Sequence, residues 1–102
     1  MLRACANKGI AFDDRGDAKE IRRNLGTEPL PDKDRLLAYM SSREPTAVAP
    51  GLCFDHLNGK TSIGAMTVYA DDAFFWDNAI IFYFDKYNLE LDPAFVDHVL
   101  EQ

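Results

Sequence analysis

Two histidines, two cysteines and 17 carboxylates are the side chains on which any chemistry of this 102-residue chain would rest. The tightest grouping is Cys53, Asp55 and His56, which offers a thiol, a carboxylate and an imidazole in one short segment. A thiolate nucleophile needs a base within hydrogen-bond reach. In an extended segment side chains alternate, so Cys53 and Asp55 share one face, His56 takes the other, and spacing does not assemble the pair. A small hydrolase built on Cys53 and His56 therefore ranks last among the readings. Cys53 is read as a buried core thiol and Cys5 has no recognisable partner.

Metal chemistry finds no better footing. Only His56 and His98 are available, no H-x-x-x-H, E-x-x-H or paired-cysteine spacing occurs, and Asp97 and His98 splay apart if they lie on a helix. No metal or cofactor is expected, and His98 is read as a surface residue near a helix C-terminus, where its positive form is favoured. The acid pairs Asp13-Asp14 and Asp71-Asp72 would need a desolvated pocket to act as general acids. In such turn-like sequence they read as solvated turn residues. Gly59 and Gly64 lack the strand-loop-helix pattern and the Lys-Ser/Thr ending of a phosphate-binding loop. The chain is thus expected to be non-catalytic.

The elements that carry these residues are legible in part. Residues 1–16 are read as an irregular arm or a short first helix, and Asp17 with Glu20 forms a capping box for a helix over 18–25, closed by Gly26. Pro29 and Pro31 interrupt it, and a second helix follows over 32–41 with Leu36, Leu37, Tyr39 and Met40 on one face. Residues 42–51 read as a loop. Asn58-Gly59 predicts a two-residue hairpin turn pairing 52–57 with 60–70, with Gly64 as a bulge, and 74–76 reads as a third strand after a turn at Asp71-Asp72. Over 77–88 strand and helix compete. Asp77 as N-cap, with Ile80, Tyr83, Phe84 and Tyr87 on one stripe, favours helix and turns the Phe82 ring outward. Asp92 with Pro93 opens a last helix that buries Phe95, Val96, Val99 and Leu100. The expected architecture is one α+β domain spanning 1–102: two N-terminal helices, a small antiparallel sheet over 52–76, and two C-terminal helices covering it.

Charge is unevenly spread over that plan. Residues 52–102 hold nine carboxylates against Lys60 and Lys86, a net of −7, whereas residues 1–51 come to +1. A total of −6 with interleaved basic residues argues against direct nucleic-acid binding, because phosphate contacts need clustered Lys and Arg. It favours a cationic partner steered in by the acidic half. No apolar run is long enough for a signal peptide or a membrane span, and two cysteines are too few for a disulfide framework, so a cytoplasmic chain with reduced thiols is expected. Aromatic residues make up 12 % of the chain and concentrate in the acidic half. Core packing accounts for most of them but leaves Phe82 and one of Phe74 or Phe75 facing out. Exposed rings inside an acidic rim have the composition of a protein-binding hot spot.

From Asp71 to Val99 the order Asp-Asp-x-Phe-Phe-Trp, Ile-x-x-Tyr-x-x-x-Tyr and Leu-x-Leu-x-x-x-Phe resembles small bacterial proteins of unassigned function. Their pattern runs Asp-Gly-x-Tyr/Trp-x-Trp, Tyr-Tyr-x-x-x-Tyr, Leu-Pro-x-x-Phe. The likeness covers about a third of the chain and departs at Ala73, where the pattern has Gly, and at Asp92, where it has Pro and Pro93 is shifted by one. Some small acidic proteins of that kind resemble immunity proteins encoded beside polymorphic or contact-dependent toxins. The resemblance implies a domain that occludes a basic toxin, such as a nuclease. Asp71, Asp72, Asp77 and Asp85 would then oppose the toxin's Lys and Arg, and Phe82 would be the desolvated anchor. The alternative is a small-molecule or peptide-binding accessory domain with a cleft between the sheet and helix 77–88, lined by Trp76 and Tyr83.

Overall fold

The computed structural model describes residues 2–5, 18–49 and 53–101. The Asp13-Asp14 pair, the Asp17 cap and most of the expected N-terminal arm lie outside these residues. The fold is α+β: strands β1 (Leu2–Arg3), β2 (Pro45–Val48), β5 (Thr67–Ala70) and β6 (Phe74–Asp77) form one sheet in the order β1-β6-β5-β2. A second, two-stranded sheet pairs β3 (Cys53–Phe54) with β4 (Ser62–Gly64). Four helices complete it: α1 (Ala18–Arg23), α2 (Lys33–Ser41), α3 (Asn78–Tyr87) and α4 (Pro93–Leu100).

Strand β6 sits inside the sheet because of its side chains. Phe74 and Trp76 are buried on one face while Phe75 between them is half-buried, the period-2 alternation of a core-facing strand. Its two edges need backbone partners. β5 pairs antiparallel on one side, and on the other Leu2–Arg3 pairs parallel with Phe74 and Phe75. Residues 2–3 are therefore a strand, not an irregular arm or a helix. Ala4 and Cys5 follow into the core, with Ala4 N–H donating to Phe75 O at 2.9 Å.

Two further expectations are corrected. Pro45–Val48, read as loop, is an edge strand antiparallel to β5. Proline is tolerated there because it opens the strand at the sheet edge, and all four residues are exposed, so no apolar alternation announced it. The Asn58-Gly59 hairpin joins only Cys53–Phe54 to Ser62–Gly64, through a longer loop. Gly59 takes φ 70° but Asn58 does not take a positive φ, so the two-residue turn is not formed. Asn58 Oδ1 instead accepts from Lys60 N–H (2.8 Å) and Thr61 N–H (3.1 Å), an Asx-type turn. Beyond Gly64 at φ 98° the chain leaves this hairpin, and β5 enters the main sheet.

The C-terminal helices follow their caps. Asp77 accepts from Ile80 N–H at 2.9 Å and Asp92 from Ala94 N–H at 3.0 Å, with Pro93 at the first helical position. The segment 78–87 is helix, with Ile80, Tyr83 and Phe84 buried, and Asn88 in the left-handed region at φ 58° ends it. Helix α2 holds both C-terminal helices by their orphan carbonyls. Lys33 donates to Asp85 O at 2.7 Å, in the last turn of α3, and Arg35 to Leu100 O at 3.3 Å, at the end of α4. Each cation also faces the negative pole of the helix it caps.

Between helices and sheet, Trp76 packs against Phe95 (5.3 Å between centroids) and Tyr39 (6.0 Å), and Phe74 meets Phe95 edge-on at 5.2 Å. The Trp76 indole N–H donates to Met40 O at 3.1 Å, satisfying a carbonyl in the last turn of α2. Trp76→Phe keeps a ring but removes that donor and part of the fill. It is expected to lower the unfolding free energy by about 2 kcal/mol in urea denaturation followed by circular dichroism. Asp77→Ala, which removes the α3 cap, is expected to lower it by roughly 1 kcal/mol.

Candidate functional site

Asp71 lies where β5 turns into β6, and its carboxylate is the most heavily bonded group described. Oδ1 accepts from the N–H groups of Ala73 (2.8 Å) and Phe74 (2.7 Å), closing the turn. Oδ2 accepts from the Tyr39 hydroxyl of α2 at 2.6 Å and lies 2.8 Å from His98 Nε2 of α4. Burial alone would raise this carboxyl. The bonds from Tyr39, from Phe74 and Ala73 N–H, and from His98 outweigh it and hold the pKa down at about 2. An ionised carboxylate only accepts, so Nε2 of His98 carries the proton shared between them. Tyr39 is shifted the other way, its hydroxyl pushed up by burial and by Asp71, which disfavours a phenolate.

His98 is therefore not the surface histidine the sequence suggested. Its ring packs 5.1 Å from Phe74 and its nitrogen ties α4 to the β5–β6 turn. Asp72 stands beside it with a side chain 93 % exposed and a carboxylate oxygen 4.0 Å from Nε2. Asp71, Asp72 and His98 are the group of described residues whose ligand atoms, all within 4.8 Å of one another, converge closely enough to share a cation. The facing atoms of Asp71 and His98 are already bonded to each other, and that bonding explains the convergence by itself.

The other residues singled out from sequence are scattered. Asp77 is buried as the α3 cap, 3.8 Å from an Arg3 guanidinium nitrogen, and burial pushes its pKa up against the Ile80 N–H bond and the Arg3 charge. It presents no surface carboxylate to a partner. Asp85 is exposed near the far end of α3, about 12 Å from Asp77 by helical rise. Phe82 is half-buried, edge-on to Tyr83 (5.5 Å) and Tyr87 (6.3 Å), with the Lys86 ammonium 5.5 Å from its ring centroid. Its ring is thus partly packed against its own helix and only partly open to solvent.

One acid grouped in the sequence with Cys53 and His56 has a role that the spacing did not indicate. Asp55 is fully buried, accepting from Leu57 N–H at 2.8 Å and from the Tyr87 hydroxyl at 2.5 Å. Burial, then the bond and charge of Asp55, push the Tyr87 hydroxyl up to about 12. His56 N–H donates to Tyr83 Oη at 2.8 Å. Asp55 and His56 thus anchor the β3–β4 loop onto α3. The available signal was the Tyr83/Tyr87 pair, four residues apart, placing two hydroxyls on one helix face.

The expected cleft beside Trp76 and Tyr83 does not form, because both side chains are completely buried. A groove of about 420 Å³ lies elsewhere, between the chain from Gly26 to Leu30, the end of α3 and the start of α4. Phe84, Leu89, Leu91 and Val96 contribute its apolar lining, and Glu28, Glu90 and Asp97 its carboxylates. Backbone bonds set its walls: Gly26 N–H donates to Asn88 O (2.8 Å), and Glu90 N–H to Asn24 O (2.7 Å). The approach is close enough that a Cβ on Gly26 would lie 3.2 Å from Asn88 O, tighter than ordinary packing.

Fold and clusters together define a mixed α+β protein in which Asp55, Asp71 and Asp77 are bonded in the interior and other acids line an apolar groove. No family model matches the chain, and no curated protein or solved structure matches it either. Among the described residues, no helix is long and apolar enough to cross a membrane.

The Asp71 network makes a pH-dependent prediction. Its folded pKa of about 2 lies below the ordinary 3.8, so the stability it supplies is complete above about pH 4 and is lost as pH falls through about 2. Asp71→Asn is expected to lower stability at neutral pH by roughly 2 kcal/mol and to flatten the fall of melting temperature between pH 4 and pH 2. Thermal scans of both proteins across that range check it.

Proposed function

We propose that this protein is a non-catalytic binding domain, an immunity protein that neutralises a basic toxin by occlusion. The observation that carries the reading is the set of exposed carboxylates, Glu28, Glu90 and Asp97, around an apolar groove, none in a salt bridge among the described residues. Asp72 and Asp85 add exposed charge elsewhere on the surface. Such a surface steers a cationic protein into contact and sets its register, while desolvated apolar contact supplies the hold. If the toxin is a nuclease, the carboxylates take the place of substrate phosphates. The reading goes with residence in the cytoplasm of a bacterium, where such a toxin would act, and with the likeness in residues 71–99. Asp71 and Asp77 leave the contact set because their carboxylates are bonded internally.

The groove also supports a second reading, an accessory domain that binds a small molecule or peptide. The two separate on salt: charge-steered association with a protein slows as ionic strength rises, whereas seating of an apolar small molecule does not.

Co-expression with the toxin encoded beside this chain tests the first reading. Growth is expected to be restored and the two proteins to co-purify at low salt. Asp72→Lys with Asp85→Lys is expected to slow association roughly 10-fold with melting temperature unchanged. Undiminished killing in the presence of the folded wild-type protein would overturn it.

A further inference from the structure

The groove between Gly26–Leu30, the end of α3 and the start of α4 has features that protein binding in general does not require. Its floor is made by the buried side chains of Phe84 and Leu89, and the apolar surface open to solvent comes from half-buried Val96 and exposed Pro93 beside Leu30, which is 43 % exposed. Around it Glu28, Glu90 and Asp97 are all exposed. The nearby ammonium of Lys33, 5.9 Å from the Phe84 ring centroid, already donates to Asp85 O and Asn88 Oδ1. Helix α3 thus holds that cation at its own C-terminus, and no described cation lies within salt-bridge distance of the rim carboxylates.

We infer that this groove is the docking site for a segment of the cationic partner protein that inserts one apolar side chain between Lys or Arg residues. This rests on the reading of a basic protein partner given above. Charge complementarity selects the occupant. An anionic membrane surface or a nucleic acid would be repelled by three carboxylates. An acidic or neutral peptide would leave them unanswered, and a purely apolar ligand would gain nothing from them. A cationic segment pairs with the rim while its apolar residue displaces water from Leu30, Pro93 and Val96. At about 420 Å³ the groove suits one or two large side chains rather than a whole helix face. The backbone bonds between 24–26 and 88–90 mean that the walls exist before binding, which lowers the ordering cost.

Selection of a random dodecapeptide phage library on the full-length protein tests the inference, with a parallel selection on E28Q/E90Q/D97N. Those three positions are exposed, so the variant is expected to melt at the wild-type temperature. Peptides enriched on the wild type are expected to carry an aromatic or branched apolar residue flanked by Lys or Arg. The synthetic peptides should shift the amide resonances of Gly26, Leu89, Glu90 and Val96, and bind the triple variant about 10-fold or more weakly. Leu30→Ala is expected to weaken them too. No enrichment, enrichment of acidic or neutral peptides, shifts confined to another face, or equal binding by the triple variant would each overturn the groove assignment. The growth assay separates the two claims. If the triple variant still neutralises the toxin, the groove assignment falls and the immunity reading stands. If cationic peptides seat in the groove but the toxin is never neutralised, the reverse holds.

Discussion

A carboxylate removed from water must be met by donors on every side, and in this protein Asp71 is the place where that requirement organises the fold. Its two oxygens take the N–H groups of Ala73 and Phe74, the hydroxyl of Tyr39 and the imidazole of His98. One side chain therefore closes the β5–β6 turn and fixes α2 and α4 against it. The indole of Trp76 adds a second tie from the sheet to α2 through Met40 O. Once α2 is placed, Lys33 and Arg35 reach the carbonyl ends of α3 and α4. The end of α3 and the start of α4 in turn form walls of the groove.

The acidic C-terminal half looks different when its charges are sorted by environment. Asp55, Asp71 and Asp77 bond to Tyr87, to Tyr39 and His98, and to the first turn of α3. They hold the structure from inside. Asp72, Asp85, Glu90 and Asp97 remain at the surface, and the two that line the groove come from the segment before α4 and from α4 itself. The rings divide in the same way. Trp76, Phe95 and Phe74 fill the space between helices and sheet, while Tyr83 and Tyr87 hold the β3–β4 loop through their hydroxyls. Packing and loop anchoring thus account for most of the rings, with Phe75 and Phe82 half-buried and Phe54 exposed.

Helices α2, α3 and α4 and strand β6 were legible from residue order because their signals are local. A cap acts within three residues, and helical or strand periodicity within a few more. That is why Asp77 and Asp92 as N-caps, and the Ile80-Tyr83-Phe84 stripe, could be identified without knowing what they pack on. Strands β1 and β2 were not legible. Leu2–Arg3 is too short to carry a pattern and is a strand only because the edge of β6 needed a partner. Pro45–Val48 has no buried face, so nothing in its side chains marks it.

Residue order alone therefore establishes the α+β class, the capped C-terminal helices and the charge imbalance, since propensity, periodicity and net charge belong to the chain whatever its conformation. It does not establish which acids are outside. Tyr39, Asp71 and His98 are separated by 32 and 27 residues, and Asp55 and Tyr87 by 32. No spacing rule reaches that far. Those partnerships, and the groove whose acidic lining comes from Glu28, Glu90 and Asp97, arise only when packing removes particular carboxylates from water and folding must supply each with donors.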